Sequence, residues 1–477
     1  MATAPRAHDL LDPHAIARLL GGNLPDTPLR PGTGVAYDSL KVRPGDVYFA
    51  WQGSTKHGLD LADEVLSKGA AFIVSDRPHS RAVHVRDTWE AMRRLALAAR
   101  EHVSAPVIGV TGSAGKTTVK TLLTAALNGR STPGNLNTVP PLLAAFVSAA
   151  RTDAGLAAPP GDVAGNGTPG APLVIELGVD HPGEMEQLTG FTRPDHGVIT
   201  TIGESHLSKL GDVAAVAREK SLLLSRAAGV RVAAAGAAAR LPAEVLARTH
   251  VAHLIGDEPL VGLPAVPAGE VAGRLDGHTL RTLGSSFELP WPGRAMAENA
   301  LLVLATAWLL GTDPRGAFER MLNAPLEKGR LRLSRLGPVT LIDDSYNSNP
   351  LSAALALEVL RERPGPHVAF LGDMRELGGV SRQRHLELGE ATLDLDLVVA
   401  IGEEAAAIVE ANPAARHVRS WREAAELTHL VPRTGTVLVK GSRSLELENL
   451  VAALERALEA RSAGSADGGS KVAGETR

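Results

Sequence analysis

The 477-residue chain contains no cysteine. That excludes disulfides, thiolate metal sites and a cysteine nucleophile, and leaves the compartment open. Aromatic residues make up 3% of the sequence, so Ala, Leu and Val must fill the cores. Basic excess is also missing: 49 Lys and Arg face 53 Asp and Glu, for a net charge of −4. Bulk electrostatics therefore give no case for nucleic acid or an anionic membrane surface. No run approaches the roughly 18 apolar residues of a membrane span, and the N-terminus has no apolar segment typical of a secretory signal. A soluble cytoplasmic protein is expected. The length suggests two to four domains.

One stretch stands out, Thr111-Gly112-Ser113-Ala114-Gly115-Lys116-Thr117-Thr118. A buried-type strand over 106–110 precedes it and a helix over 116–127 follows, with Gly129 at the stop. Strand, Gly-rich loop, Lys, hydroxyl and helix form a phosphate cradle. Small residues let backbone N–H groups close on phosphate oxygens, and the new helix adds its N-terminal dipole. Lys116 is expected to reach the outer phosphates and Thr117 to ligate Mg²⁺. The strict pattern G-x-x-x-x-G-K-S/T asks for glycine where Val110 stands. A turn with a surface lysine is the plain alternative.

The rest of the chain reads as α/β. Residues 1–104 form a small α/β domain, with strands at 46–51 and 70–75 and helices at 59–67 and 88–102. Residues 105–325 form a central domain around the phosphate loop, built on a P-loop ATPase-type parallel sheet. A polar loop spans 132–138, and 151–171 reads as a flexible insertion. Strands at 172–177 and 198–202 end near Glu176 and His206. Parallel sheets place ligands at carboxyl strand ends, so both residues can face the phosphate site. A strand-end salt bridge and a capping histidine are the alternatives. Lys220, on a helix over 213–227, reads from pattern alone as a solvated lysine. Residues 229–292 read as β-rich and 294–310 as a helix. From 326 to 462, strands at 339–343, 368–371, 397–401 and 437–439 alternate with helices, as in a Rossmann-like doubly wound sheet. Residues 463–477 read as the main part of a disordered tail that begins near 461.

Several stretches together resemble the Mur ligases, ATP-dependent amide-forming enzymes of peptidoglycan assembly. Thr111 to Thr118 is similar to that family's loop T-G-S/T-x-G-K-T-T/S. Thr132-Pro133-Gly134-Asn135-Leu136-Asn137-Thr138, Glu176-Leu177-Gly178 with Pro182-Gly183-Glu184, and Gly203-Glu204-Ser205-His206-Leu207 resemble further motifs. Asp343-Asp344-Ser345-Tyr346-Asn347-Ser348-Asn349-Pro350, Gly372-Asp373-Met374-Arg375-Glu376-Leu377-Gly378 and Lys440-Gly441-Ser442-Arg443-Ser444 resemble the dipeptide-adding branch. The chain departs from the family at Ala114, Thr201 and Ala295-Met296.

The resemblance implies a ligase that joins D-alanyl-D-alanine to UDP-N-acetylmuramoyl-tripeptide through an acyl phosphate. It implies ATP, two Mg²⁺ sites and a carbamylated lysine. Residues 111–118 would hold phosphates. Thr117 and Glu176 would hold one Mg²⁺, and His206 and carbamylated Lys220 the second. Lys116, Glu176, His206 and Lys220 would form the catalytic group. Arg330 and Asp344 would meet phosphate and ribose, and Asn299 the adenine. Asp38, Ser39, Asn137 and Thr138 would seat the UDP-sugar; Tyr346, Asn347, Arg375, Lys440 and Ser442 are further substrate candidates. A monomer without nucleic-acid partners is expected. A sister ligase, a folylpolyglutamate-type synthetase and a regulatory nucleotide binder without ligase activity are the competing readings.

Overall fold

Three sheets follow one another along the chain. The structure, a computed structural model, describes residues 5–53, 55–156, 163–165, 168–255 and 268–467. The first sheet has four parallel strands in the order Gly34–Ala36, Asp46–Ala50, Phe72–Ser75 and Ala82–His84. Helix Thr88–Arg100 covers it, started by Asp87, whose side chain accepts from Glu90 N. Such a cap satisfies an N–H that the helix itself cannot.

The central sheet has ten strands. From one edge they run Ser285–Glu288, Thr279–Thr282, Glu270–Asp276, His250–Ile255, Arg231–Ala234, His196–Ile199, Val107–Thr111, Leu173–Glu176, Arg130–Ser131 and Ala164–Gly165. The strands from Glu270–Asp276 to Arg130–Ser131 are parallel, and antiparallel pairs close both edges. Helices Lys116–Ala126 and Arg294–Leu309 pack together on one face, burying Val119, Leu122, Ala300 and Leu304.

Helix Val139–Asp153 lies on the other face. It follows the polar loop and buries thirteen residues, from Val139 to Arg151. Pro140 and Pro141 are tolerated in its first turn, where their missing N–H groups would have no helical partner. This helix packs on Thr88–Arg100 of the preceding region, and one apolar cluster runs from Leu10 to Leu223. The core therefore does not break at residue 104.

The third sheet has six strands in the order Arg332–Leu336, Val339–Asp344, Gly435–Lys440, His367–Gly372, Leu397–Ile401 and Arg416–Val418. Only the first pair is antiparallel. Separate apolar clusters cover its two faces. Helix Glu448–Asp467 continues past the start of the stretch read as a tail; residues 468–477 lie outside the described residues. Of the stretch read as an insertion, 157–162 and 166–167 lie outside them as well.

Candidate active site

The phosphate loop is the turn between strand Val107–Thr111 and helix Lys116–Ala126. Two of its glycines are sterically required. At Gly112 (φ +153°) a Cβ would stand 2.0 Å from Thr200 Oγ1, and at Gly115 (φ +79°) 2.9 Å from Asn299 Oδ1. Both backbone conformations are rare for residues with a Cβ. The helix start has no side-chain cap, so its first N–H groups are left for an anion. Thr201 braces the loop from beneath: Ser113 N donates to its carbonyl (2.9 Å) and Ala114 N to its Oγ1 (2.7 Å). Thr200 and Thr201 follow a strand end, the position that could have marked them from sequence.

Lys116 curls back, and its Nζ donates to Gly112 O at 2.9 Å. Burial lowers its pKa, with Glu176 pulling the other way. Thr117 Oγ1 donates to Glu176 Oε2 at 2.7 Å, and Asn137 Nδ2 to Glu176 Oε1 at 3.0 Å. Glu176 is 2% exposed. A hydroxyl beside a buried carboxylate, under a phosphate loop, is a hard-oxygen donor set suited to Mg²⁺.

His206 occupies a left-handed position (φ +55°) after strand His196–Ile199. Its Nδ1 lies 2.5 Å from Glu376 Oε2. Asp180, His206 and Glu376 each offer one ligand atom, and these atoms lie within 4.8 Å of one another. Burial lowers the His206 pKa, opposed by Glu376 and reinforced by Lys116 and Lys220. A neutral imidazole is the form that binds a metal. Asp180 carries no local sequence signal for this placement, and Glu376, although inside the stretch 372–378 that carries the resemblance, has none that points to His206. Lys220 is 1% exposed, so the pattern reading of a solvated lysine fails. Burial, and then the charge of Lys116, push its pKa down to about 7.

The third sheet closes the cavity with its carboxyl strand ends. Asp344 and Lys440 are register partners on adjacent strands, and their side chains meet at 2.5 Å. Lys440 also donates to Asn347 O (3.0 Å), and Leu331 N to Asp344 Oδ1 (3.1 Å). Burial raises the Asp344 pKa and Lys440 opposes it. The Arg330 guanidinium stacks 4.1 Å over the Tyr346 ring.

One cavity of about 320 Å³ takes in Ser113, Ala114, Gly115, Lys116, Thr117, Thr118, Asn137, Glu176, His206, Asn299, Arg330, Asp344, Tyr346, Asn347 and Lys440. Ala295 and Met296 line it too. Lys440, Tyr346 and Asn347, grouped with substrate from sequence, thus share the wall with Asp344. Thr111 and Gly112 support the loop from behind, and Lys220 lies outside this lining. A second cavity, about 440 Å³, lies between Asp38, Lys41 and Arg43 of the first region and Pro133, Leu136 and Pro141 of the central one. Ser39 and Thr138 do not line it. Arg375 and Ser442 line neither cavity. Arg375 pairs with Asp373 (2.8 Å); Ser442 Oγ donates to Asp373 O and accepts from Arg375 N.

A bare helix start beneath a Gly-rich loop, with a Lys, a Thr–Glu pair and a second sheet folded over them, defines a nucleotide-binding enzyme of the P-loop type. Residues 110–307 match the Mur ligase middle domain and 329–443 the Mur ligase glutamate ligase domain. The UDP-N-acetylmuramoyl-tripeptide--D-alanyl-D-alanine ligase of Escherichia coli is 31% identical over 88% of this chain and 93% of its own length. The Bacillus subtilis protein of the same name is 27% identical over 88% and 92%. MurF from Acinetobacter baumannii superposes with a TM-score of 0.75 at 26% identity, covering 92% of this chain and 98% of its own. MurF from Thermotoga maritima, solved with ADP, gives 0.71 at 25%, covering 90% and 99%. The chain belongs to the Mur ligase family.

Proposed function

We propose that the chain joins D-alanyl-D-alanine to UDP-N-acetylmuramoyl-tripeptide at the expense of ATP, releasing ADP and phosphate. The observation that carries this reading is the single cavity in which Lys116, Thr117 and Glu176 of one sheet face Arg330 and Asp344 of the next. A carboxylate is a poor acyl donor. Its oxygen attacks the γ-phosphorus, ADP departs, and an acyl phosphate remains. The dipeptide amine then adds to the acyl carbon, loses a proton, and phosphate leaves as the amide forms. Both steps gather negative charge, so fixed cations and oriented N–H groups do most of the work.

The loop N–H groups and Lys116 hold the β- and γ-phosphates. Thr117 and Glu176 fit one Mg²⁺ and His206 a second, which would neutralise the phosphates and the acceptor carboxylate. Arg330 meets phosphate, Asp344 the ribose and Asn299 the adenine. The cavity at Asp38, facing the loop that carries Asn137, suits the UDP-sugar. Lys440 orients Asp344, while Arg375 and Ser442 shape the loop bearing Glu376. Every one of these residues comes from one chain, so a monomer suffices. ATP and a UDP-linked precursor place the reaction in the cytoplasm; among the described residues no helix is long and apolar enough to cross a membrane.

Lys220 fits the carbamate role. With its pKa near 7, much of it is a neutral amine at neutral pH. That amine adds to CO₂, losing a proton and gaining an anionic oxygen pair for the His206 side. Lys220→Ala should lower turnover at least about tenfold and recover in part with added formate or acetate. Undiminished turnover in that variant would remove the carbamate. The whole reading is tested by phosphate release from ATP with the UDP-tripeptide, with and without D-alanyl-D-alanine. Release should depend on the dipeptide, and release that ignores it overturns the assignment.

A further inference from the structure

Several contacts between the central and third sheets' bodies fall on one short segment, 203–208, in addition to the bond from Asn349 Nδ2 to Ser113 O at 3.4 Å. Ser208 N donates to Glu376 O at 3.1 Å. Two residues earlier, His206 meets Glu376. At Glu204 the contact is a fork: Arg384 Nε donates to Oε2 at 2.7 Å and Nη2 to Oε1 at 2.6 Å. The two residues lie 180 positions apart. They are 31% and 21% exposed, so water screens the pair only in part.

Both ends of the fork are anchored. Arg384 lies on helix Ser381–Glu390, whose neighbouring His385 is fully buried and accepts from Met374 N (2.9 Å). Leu388 of the same helix sits in the third sheet's core. Pulling on Arg384 therefore pulls on the whole body. On the other side, Gly203 N donates to Ser113 Oγ at 3.0 Å, and Ser205 Oγ reaches the same atom at 2.9 Å. The residues flanking Glu204 thus grip the phosphate loop. A planar guanidinium donating two parallel bonds fixes orientation as well as distance.

We propose that Arg384 is a positioning residue: its fork on Glu204 latches the third sheet's body to the phosphate loop and keeps Arg330 and Asp344 over the nucleotide cavity. The inference rests only on the nucleotide part of the functional reading, not on the acceptor. Arg384 touches no reacting atom. Its loss should raise the KM for ATP and leave kcat at saturating ATP within about twofold, because bound nucleotide can still draw the bodies together.

The cysteine-free chain makes the test direct. Glu244→Cys and Glu362→Cys, both at exposed positions in different bodies, give a unique fluorophore pair in the full-length protein. Energy transfer reads the distance between bodies, and calorimetry reads ADP affinity. Arg384→Met and Glu204→Gln should each lengthen the mean distance and weaken ADP about three- to tenfold. Arg384→Lys should recover part of the loss, since it keeps charge without the fork. The exchanged pair Arg384→Glu with Glu204→Arg should return both readouts to within about twofold of wild type. Single variants with unchanged distance and ADP affinity overturn the latch, as does an exchanged pair no better than the singles. A wild-type chain that binds no ADP fails the functional reading instead, and the distance readout alone then decides the latch.

Discussion

The central sheet meets its two neighbours through seams of opposite character. Toward the N-terminus, helices Thr88–Arg100 and Val139–Asp153 interlock through Met92, Leu95, Leu142 and Phe146, all fully buried in one cluster. Toward the C-terminus, each body keeps its own cores. Leu331 is the partly buried residue packed against clusters on both sides, and the remaining contacts named above are hydrogen bonds and ion pairs. A dry apolar seam resists sliding, because displacement exposes surface at about 25 cal/mol per Å². A polar seam exchanges its bonds for bonds to water at little net change. The first two regions should therefore move as one block, and the third should move against them. The two cavities follow this division. The one at Asp38 lies inside the block, and the nucleotide cavity lies across the polar seam.

The largest effect expected is on the apolar seam. Leu142→Ala should cost about 2–5 kcal/mol and lower the denaturation midpoint of the first two regions together. Separate unfolding of residues 1–104, read by hydrogen exchange along the chain, would break the comparison. Next comes Asp344→Asn at the polar seam. It should weaken ADP about tenfold, roughly 1.4 kcal/mol, while leaving the melting of the first block unchanged. A matching loss of block stability would mean that the seams are not independent. The smallest effect is on pH dependence. Asp153, at the end of the seam helix, is ion-paired to Arg130 (3.0 Å) and accepts from Ser104 N (3.0 Å). Burial tends to raise its pKa, but bonds from Gly170 N, Arg130 and Ser104 N outweigh this and lower it. The pair's contribution is thus complete above the unfolded carboxylate's pKa, near 4, and is lost as pH falls through the lower folded value. Asp153→Asn should flatten stability against pH in that acid window; an unchanged profile would assign the acid sensitivity elsewhere.

Much of this architecture is legible in the sequence. The phosphate loop announces itself by local chemistry, since its strand, glycines and helix are contiguous. Glu176 and His206 are legible by the strand-end rule. Helix Val139–Asp153 is not, because it begins with two prolines and is apolar on every side, leaving no period to read. Lys220 looks solvated beside Arg218 and Glu219, and only tertiary burial makes it otherwise. Lys440 belongs with Asp344 because residues 96 positions apart pair in register. Glu204 lies in the stretch 203–207 that carries the resemblance, but nothing local ties it to Arg384, 180 positions away, until the bodies meet.

The joint at 329–331 has one more implication. Asp343 accepts from Gly329 N and Asp344 from Leu331 N, and both joint residues sit at positive φ (+76° and +53°). Asp344 is also the residue assigned to the ribose. One carboxylate therefore lines the nucleotide cavity while its Oδ1 holds the joint and its Oδ2 meets Lys440. By reciprocity, whatever preference bound nucleotide imposes on the joint angle, the joint angle returns as a preference for nucleotide. Substitutions at Gly329, which lines the nucleotide cavity beside Arg330, become a dial on cofactor affinity.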